Sequence, residues 1–265
     1  MLLCIDVGNT ETKLVAFEDG GGIAGTWRVT TARRRTHDEY GVLFASFFSA
    51  ARFAIADVDA IVVSSVVPAV ERPLADGCEK YFGVVPSFFT AETQTSIAIR
   101  TERPRELGSD LAAAAIGTVE IVGAPAIFVN FGTATTFGAI DNEGAYVGTV
   151  IAPGIQVAFD ALVGRAAKLP QVALEAPASA IGRDTVSSLQ SGVVYGAVGQ
   201  TEGIVTRMRR ELGADTRVIA SGGLAEIVAS ETAIIERVEP HLVPLGLRAY
   251  YLRAQRMKAA SLLDT

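Results

Sequence analysis

The sequence predicts an α/β protein that consists of two duplicated domains with a cleft between them. Strand and helix patterns alternate along the 265 residues, and the order of three strands followed by helices occurs twice. A hairpin centred on glycine opens each half, LLCIDVGNTETKLVAF at residues 2–17 and FVNFGTATTFGAID at residues 128–141. A chain of this length can form two domains that each bury their own core.

The first half begins with three strands and continues with helices. Three segments rich in β-branched and aromatic residues predict the strands, LLCID, TKLVAF and GTWRVT. Apolar residues at helical spacing predict a helix from His37 to Phe53, and AIVVSS predicts a short buried strand. Pro68 begins a helix that runs to about Lys80, and the alanine-rich run from Leu111 to Val122 predicts another helix.

The second half repeats this order. AIFVN, TTFGAI and AYVGTVI predict three strands, and helices are expected from about Gln156 to Ala167 and from Thr185 to about Leu212. RVIAS predicts a further strand, GGLAEIV opens a helix, and PLGLRAYYLRAQRMKAA closes the chain as a helix. The repeat divides the chain into predicted domains of residues 1–116 and 117–265.

Composition and charge narrow the class of protein. A net charge of −6 argues against a nucleic-acid or anionic membrane surface. No apolar stretch reaches the roughly 18 residues of a membrane span, and no signal-peptide pattern precedes Asp6, so we expect a cytoplasmic protein. Two cysteines and two histidines, scattered apart, predict neither a disulfide framework nor a zinc or haem site. The basic run Arg33–Arg35 is interpreted as a solvated loop, with contact to phosphate or a neighbouring subunit as the alternative.

The first hairpin has the composition of a phosphate-binding loop. Gly8 has no Cβ, so backbone N–H groups can approach an anion closely, and Asn9 and Thr10 add side-chain hydrogen bonds. Lys13 would supply a positive charge if the second strand points it back at the phosphates. Asp6, at a strand end, would hold a hydrated divalent cation rather than touch the phosphate, because two like charges repel.

The second hairpin lacks that carboxylate, since Asn130 stands where the first hairpin has Asp6. Thr133, Thr135 and Thr136 offer hydroxyl and N–H groups to the other end of a polyphosphate. Two ordinary β-turns with polar tips are the alternative interpretation. The pairing of the hairpins at corresponding points of two halves favours a nucleotide cleft instead.

Longer motifs resemble those of type III pantothenate kinases, a family in the acetate and sugar kinase/heat-shock ATPase/actin superfamily. The matching segments run nearly from end to end: IDVGNTETKL, SSVVPAVERPL, IRTERPRELGSD, FVNFGTATTFGAID, VIAPGIQVAFDALVGRAAKLPQV, IGRDTVSSLQSGVVYGAVGQTEGIV and PHLVPLGL. The resemblance implies two ribonuclease H-like domains of the actin-like ATPase type. It further implies ATP-dependent phosphorylation of pantothenate in coenzyme A biosynthesis, a need for Mg²⁺ and a monovalent cation (K⁺ or NH₄⁺), and a dimer with its substrate pocket near the interface.

The same resemblance assigns roles to single residues. It places ATP along the first hairpin and at one residue of the second: Asp6, Val7, Gly8, Asn9, Thr10, Glu11, Thr12, Lys13 and Thr133. It places pantothenate against the GSD segment and one residue reached across the dimer: Gly108, Ser109, Asp110 and Thr185. Asp110 falls at the position of the family's proton acceptor. That residue takes the proton from the hydroxyl that attacks the γ-phosphoryl group. Asp6 is the expected position for the divalent cation, and Asn130 stands at the position that the resemblance assigns to the monovalent cation. Asp110 also suits a helix N-cap, so both roles can hold.

Four positions depart from the family pattern. Leu111 replaces an Arg that would bind the substrate carboxylate with two hydrogen bonds, and Thr101 replaces a Tyr. Asn130 replaces the Asp that binds the monovalent cation. Its amide oxygen can still bind K⁺, but a charge attraction on the order of 4 kcal/mol is lost. Gly138 stands where an Asp is common. Three of the four lie on the acceptor and cation side, while the first hairpin is intact.

Three hypotheses account for these departures. In the first, the chain is one subunit of a hetero-oligomer in which a complete paralogue supplies the missing Arg, Tyr and Asp, while this chain contributes Thr185. In the second, a homodimeric kinase has changed its acceptor or its use of cations. In the third, the chain is a non-catalytic nucleotide-binding or regulatory protein that retains the fold.

Overall fold

The chain folds into two compact units. The structure is a computed structural model that describes residues 1–94, 96–166 and 168–263. The first unit contains Met1–Ile97, Glu102–Glu120 and His241–Thr265, and the second contains Ala98–Thr101 and Ile121–Pro240. The end of the chain therefore belongs to the first unit. The predicted boundary between residues 116 and 117 rests on the internal repeat and stays a prediction.

The first unit is built on a five-stranded mixed sheet. Its strands are β1 (Leu2–Val7), β2 (Glu11–Phe17), β3 (Ile23–Thr30), β4 (Ala60–Ser65) and β5 (Ser87–Phe89). They lie in the spatial order β3-β2-β1-β4-β5, in which β1, β2 and β3 are antiparallel neighbours and β4 and β5 run parallel to β1. The helices that follow these strands are α1 (His37–Ala50), α2 (Pro68–Phe82) and α3 (Ser109–Val122).

The second unit repeats the same sheet. Its strands are β6 (Ala126–Phe131), β7 (Ala134–Ile140), β8 (Tyr146–Pro153), β9 (Arg217–Gly222) and β10 (Arg237–Val238), in the order β8-β7-β6-β9-β10. Its helices are α4 (Ile155–Arg165), α5 (Thr185–Leu212) and α6 (Ala225–Ala229). The pairing shifts at the same point in both units, between Ala16 and Phe17 and between Ala139 and Ile140. The predicted duplication of an α/β domain is confirmed.

The end of α1 differs from the prediction. The helix ends at Ala50, before the expected end at Phe53. Arg52 takes a left-handed conformation with φ of 61°, and its N–H donates to the carbonyl of Ser49 at 3.0 Å. The Phe53 N–H donates to the carbonyl of Phe48 at 2.9 Å. This pair of bonds is a Schellman motif, which satisfies the last carbonyls of the helix and stops it.

The long helix α5 has the bounds that the sequence predicts. Asp184 caps it, because the Asp184 carboxylate accepts a hydrogen bond from the Ser187 N–H at 2.9 Å. The predicted end of α4 at Ala167 lies outside the described residues. Within the described ranges, none of the helices combines the length and the apolar composition of a transmembrane span.

Each sheet buries an apolar face under helices of its own unit. In the first unit, Tyr40, Phe44 and Phe48 of α1 are fully buried against the sheet. In the second unit, Val205 and Met208 of α5 contribute to the core. Burying a side chain of this size stabilises the fold by about 1.5–3 kcal/mol.

The last helix, α7 (Leu242–Leu263), packs backbone to backbone against α3. A Cβ at Gly246 would collide with the carbonyl oxygen of Ala113, and a Cβ at Gly117 would collide with the carbonyl oxygen of Leu242. Neither position can hold a larger residue unless the helices move apart. This contact fixes the axis of α3, whose first turn carries Asp110.

Candidate functional site

The pairing of β1 with β2 brings a carboxylate and an ammonium group to the same face of the first sheet. Asp6 lies directly across from Lys13, and Val7 lies across from Thr12. Side chains of directly paired residues in an antiparallel sheet point to one side and lie close together. Asp6 is half-buried here, and burial raises the pKa of its carboxyl while the charge of Lys13 lowers it in part.

The turn that follows β1 is held by a backbone hydrogen bond. The Gly8 N–H donates to the carbonyl oxygen of Glu11 at 3.0 Å. A Cβ on Gly8 would stand 3.1 Å from that same oxygen, so the turn favours glycine. Because the Gly8 N–H is used inside the turn, the exposed residues Asn9 and Thr10 form the accessible tip.

Thr31, directly after β3, holds this turn from the side. Its N–H donates to the carbonyl of Thr10 at 2.9 Å, and its hydroxyl donates to the carbonyl of Gly8 at 2.8 Å. The hydroxyl groups of Thr12 and Thr31 are 2.9 Å apart. Since the Thr31 proton is directed to Gly8, Thr12 is the donor in this pair. Three hydrogen bonds of Thr31 therefore hold the turn in place.

The start of α3 is tied to the end of β4. The Ser64 hydroxyl donates to Ser109 Oγ at 2.9 Å, and the Ser109 hydroxyl donates to the carbonyl of Ser65 at 2.9 Å. Ser64 also lies beside Asp6 in the parallel pairing of β4 with β1. The first turn of α3, with Asp110, is thereby held near Asp6.

Asp110 is the second residue of α3, because the helix begins at Ser109. The N-cap position is therefore Gly108, and the alternative role of Asp110 as N-cap is wrong. Burial raises the pKa of the Asp110 carboxyl, and hydrogen bonds from the backbone N–H groups of Leu111 and Asp110 lower it in part. A Cβ at Gly108 would stand 2.5 Å from Asp110 Oδ1, so glycine leaves room for this carboxylate.

Asp6 and Asp110 interact within the first unit. Burial raises the pKa of Asp6 to about 7, the charge of Lys13 lowers it, and the charge of Asp110 raises it. Asp6 without a bound cation is therefore only partly ionised at neutral pH. Two carboxyl groups with raised pKa values and one lysine are the chemically active groups beside the first turn.

The second hairpin has a neutral pair at the corresponding point. Asn130 lies directly across from Thr136 in the pairing of β6 with β7. The Gly132 N–H donates to the carbonyl of Ala134 at 3.1 Å, and Thr133 is exposed at the tip. The Thr136 hydroxyl is buried and has no hydrogen-bond partner among the described residues. This hairpin presents amide and hydroxyl groups where the first presents charges.

Gly154 stands where Thr31 stands in the first unit, directly after the third strand of the sheet. A Cβ at Gly154 would collide with the carbonyl oxygens of Gly132 and Thr133. The second turn is therefore packed against backbone instead of being tied by a side chain. The buried hydroxyl of Thr135, at the position of Thr12, is left without a partner in the described part of the chain.

Three of the four departures, at residues 138, 101 and 111, can be described from their surroundings or burial. The ring of Phe128, directly across from Gly138, fills the space of a Cβ at that position. An aspartate at residue 138 would therefore require Phe128 to move. The Thr101 hydroxyl is buried and has no hydrogen-bond partner within the described ranges. Leu111 is half-buried next to Asp110, and its aliphatic side chain carries no hydrogen-bond donor.

Thr185 is the first residue of α5 and is exposed. Further along the helix, α4 and α5 border a cavity of about 460 Å³ with a mainly apolar lining. Phe159 and Leu162 of α4 and Val193 of α5 contribute to it, and Gln200 adds a polar group. Thr185 is not one of the lining residues.

The first unit thus brings together Asp6, Lys13, Ser109 and Asp110, whereas Asn130, Thr133 and Thr185 belong to the second unit. Sequence reasoning missed Thr31 and the two serines of β4. Their only signal is a polar residue at the end of a predicted strand or directly after it. Within the described residues, no group of three or more His, Cys, Asp or Glu side chains could hold a metal ion by itself.

The fold is shared with solved structures of low sequence identity. Component A of (R)-2-hydroxyglutaryl-CoA dehydratase from Acidaminococcus fermentans matches with a TM-score of 0.56 and 14% identity, over 97% of this chain and 98% of that one. The activator of 2-hydroxyisocaproyl-CoA dehydratase from Clostridium difficile, solved with bound ADPNP, matches with a TM-score of 0.53 and 13% identity, over 97% of each chain. These likenesses show the fold alone.

Sequence comparison identifies the family. The family model described as type III pantothenate kinase matches residues 2–207. A type III pantothenate kinase of Bacillus cytotoxicus is 43% identical over 253 residues, which cover 96% of this chain and 96% of that protein. The chain therefore belongs to the type III pantothenate kinase family.

Proposed function

We propose that the chain catalyses the ATP-dependent phosphorylation of pantothenate to 4′-phosphopantothenate. Membership of the family supports this reaction. The observation that supports it for this chain is the interaction of Asp6 with both Lys13 and Asp110 beside a hydrogen-bonded turn. A metal-binding carboxylate, a cation and a base are the groups that phosphoryl transfer to an alcohol requires.

In this proposal the segment from Asp6 to Lys13 binds the phosphates of ATP. The exposed tip residues Asn9 and Thr10 supply hydrogen-bond donors, because the Gly8 N–H already serves the turn. Lys13 adds a positive charge on the same face. Positioning and charge neutralisation are the main contributions that a protein makes to phosphoryl transfer.

The residues present fit a Mg²⁺ ion at Asp6. A half-buried carboxylate whose pKa is raised to about 7 is stabilised in its ionised form by a nearby cation. Mg²⁺ commonly binds through one or two carboxylates together with substrate phosphates and water, so a cluster of three acidic side chains is not needed. The bound ion would neutralise charge on the phosphates.

Asp110 accepts the proton of the attacking hydroxyl in the proposed reaction. Its raised pKa brings the carboxylate closer to the range in which a general base works well at neutral pH. Gly108 leaves space beside Asp110, and Ser109 fixes the turn that carries it. The acceptor pantothenate would lie against these three residues.

We further propose that the second hairpin contacts phosphate through Thr133. Asn130 and Thr136 offer an amide oxygen and a buried hydroxyl oxygen without a described partner, which suit a monovalent cation such as K⁺ or NH₄⁺. Neither group carries a charge, so the affinity for a cation should be weak.

A second candidate is that the chain works as one subunit of a hetero-oligomer. Leu111 and Thr101 favour it, because neither supplies the Arg or Tyr side chain that the family uses toward the acceptor. A paralogue would then supply a complete site, and this chain would contribute Thr185 from its exposed helix start. In that complex the working base belongs to the partner.

Asp110→Asn separates these candidates. We expect turnover of pantothenate, followed as 4′-phosphopantothenate by mass spectrometry with Mg–ATP and K⁺, to fall a hundredfold or more, as is typical when a general base is lost. Asp215→Asn, the same change at an exposed loop position, is the control and should leave turnover unchanged.

Other outcomes have clear consequences. If the wild-type chain is inactive alone, becomes active with a second family member and tolerates Asp110→Asn in that mixture, the hetero-oligomer is correct. If ATP binds but no product forms under either condition, the kinase proposal is wrong and a regulatory homologue remains.

A further inference from the structure

The basic loop after β3 contacts the first hairpin through one side-chain hydrogen bond. We propose that Arg33 is a positioning residue for ATP, which orients the Asn9 side chain so that its amide NH₂ group faces the nucleotide phosphates. The inference rests on the proposed binding of ATP to the first hairpin. It adds to that site a residue that lies well outside the hairpin motif.

The contact itself fixes the orientation of the amide. Arg33 Nη2 donates to Asn9 Oδ1 at 3.3 Å. A guanidinium group has donors only, so it selects the oxygen side of the amide. Asn9 Nδ2, with two donors, is then turned away from Arg33. No described residue accepts a hydrogen bond from it, so both donors are available to an anion.

The backbone brings Arg33 to this place. Thr31 is bound to the carbonyls of Gly8 and Thr10, so the chain leaves β3 alongside the tip of the hairpin. Four residues after Thr31, the Arg35 N–H donates to the carbonyl of Ala32 at 3.1 Å and closes a turn. Arg33 lies within that turn, at the side of the hairpin tip.

Arg33 also keeps its charge available. No carboxylate of a described residue lies within ion-pair distance of Arg33, whereas Arg28 on β3 pairs with Glu11 at 3.9 Å. A charged donor strengthens the hydrogen bond to the amide oxygen, and a polarised amide is a better donor on its other side. The loop interpreted from sequence as solvated thus has two members with specific partners, since Arg33 contacts Asn9 and the Arg35 guanidinium lies over the ring of Tyr40 at 5.1 Å.

The chain offers a matched control. Arg34 is the next residue, has the same charge, is exposed and makes no side-chain hydrogen bond or ion pair with any described residue. Arg33→Ala and Arg34→Ala therefore change the net charge of the loop equally. Only Arg33→Ala removes the contact with Asn9.

The test measures Mg–ATP binding by calorimetry for the full chain and its variants. We expect Arg33→Ala to weaken ATP binding roughly threefold to tenfold, the effect of one lost hydrogen bond. Arg34→Ala should change it by less than about twofold, as is usual for a surface substitution. Arg33→Lys should restore part of the affinity, because an ammonium group can also donate to the amide oxygen. The melting temperature and the KM for pantothenate should not move with Arg33→Ala.

A double-mutant cycle tests whether Arg33 acts on ATP binding through Asn9. In an Asn9→Ala background, Arg33→Ala should have no more effect than Arg34→Ala, because the group that Arg33 orients is gone. An undiminished effect in that background would overturn this inference and leave the proposed function standing. Equal effects of Arg33→Ala and Arg34→Ala in the wild type would do the same. Absence of ATP binding by the wild-type chain with Mg²⁺ would overturn the proposed function and this inference together.

Discussion

Asp6 and Asn130 occupy equivalent positions in the two units, and their partners change with them. Asp6 faces Lys13 and interacts with Asp110, whereas Asn130 faces Thr136. A half-buried carboxylate is costly unless a cation lies nearby, and a neutral amide needs none. The loss of a carboxylate from the second hairpin is therefore matched by a neutral residue across from it, which keeps the local charge balanced.

The raised pKa of Asp6 predicts how stability depends on pH. Its pKa is about 7 in the folded chain and about 3.9 in unfolded chains. The folded state therefore binds the Asp6 proton more tightly, so this contribution to stability is complete below about pH 4 and is lost as pH rises through about 7. Asp110 is shifted in the same direction and adds to the trend.

Asp6→Asn should flatten this dependence, because asparagine resembles the protonated carboxyl at every pH. We expect the wild-type melting temperature, measured without nucleotide or Mg²⁺, to fall from about pH 5 to about pH 8 more steeply than that of the variant. The variant should be the more stable chain at about pH 8. Parallel curves for the two proteins would contradict the burial of an ionisable Asp6, and Asp215→Asn should follow the wild type.

The contact between α3 and α7 connects the end of the chain with the candidate active site. Gly246 and Gly117 let the two backbones touch, and α3 carries Asp110 in its first turn. A residue that forces these helices apart would therefore disturb both the fold and the position of the base.

Gly246→Ala should destabilise the chain by roughly 1–3 kcal/mol or more, the usual range for overpacking, because the added Cβ meets the Ala113 carbonyl. The comparison is Gly199→Ala in α5, where nothing lies within 4 Å of an added Cβ. There we expect a gain of roughly 0.5–1 kcal/mol from the higher helix propensity of alanine. Urea unfolding measures both, and equal effects at the two positions would contradict the close packing.

The elements that sequence predicts well are those with a strong local signal. AIVVSS coincides with β4, and α5 has its predicted bounds because Asp184 supplies a local cap. The two short edge strands, β5 and β10, were not predicted, since two or three residues carry no periodicity. The bond between Ser64 and Ser109 joins residues 45 apart and could not be foreseen from either segment.

At the level of the whole chain, the two units share one architecture, but the side chains at their hairpins differ. Both units have the same strand order and the same shift in pairing. Only the first has a charged pair at its hairpin and a second carboxylate nearby. Sequence alone predicts the duplication and the charged hairpin. It does not predict that α7 returns to the first unit, because that packing depends on the tertiary approach of two glycines.

The asymmetry between the two hairpins can be tested through the effect of Mg²⁺ on ATP binding. ATP binding should be titrated calorimetrically at about pH 8, above the pKa of about 7 for Asp6, with and without Mg²⁺. We predict that Mg²⁺ tightens ATP binding to the wild-type chain, that Asp6→Asn abolishes most of this gain, and that Asn130→Ala keeps it. An affinity for ATP that does not respond to Mg²⁺, or a gain that survives Asp6→Asn, would contradict the assignment of the phosphate and metal site to the first hairpin.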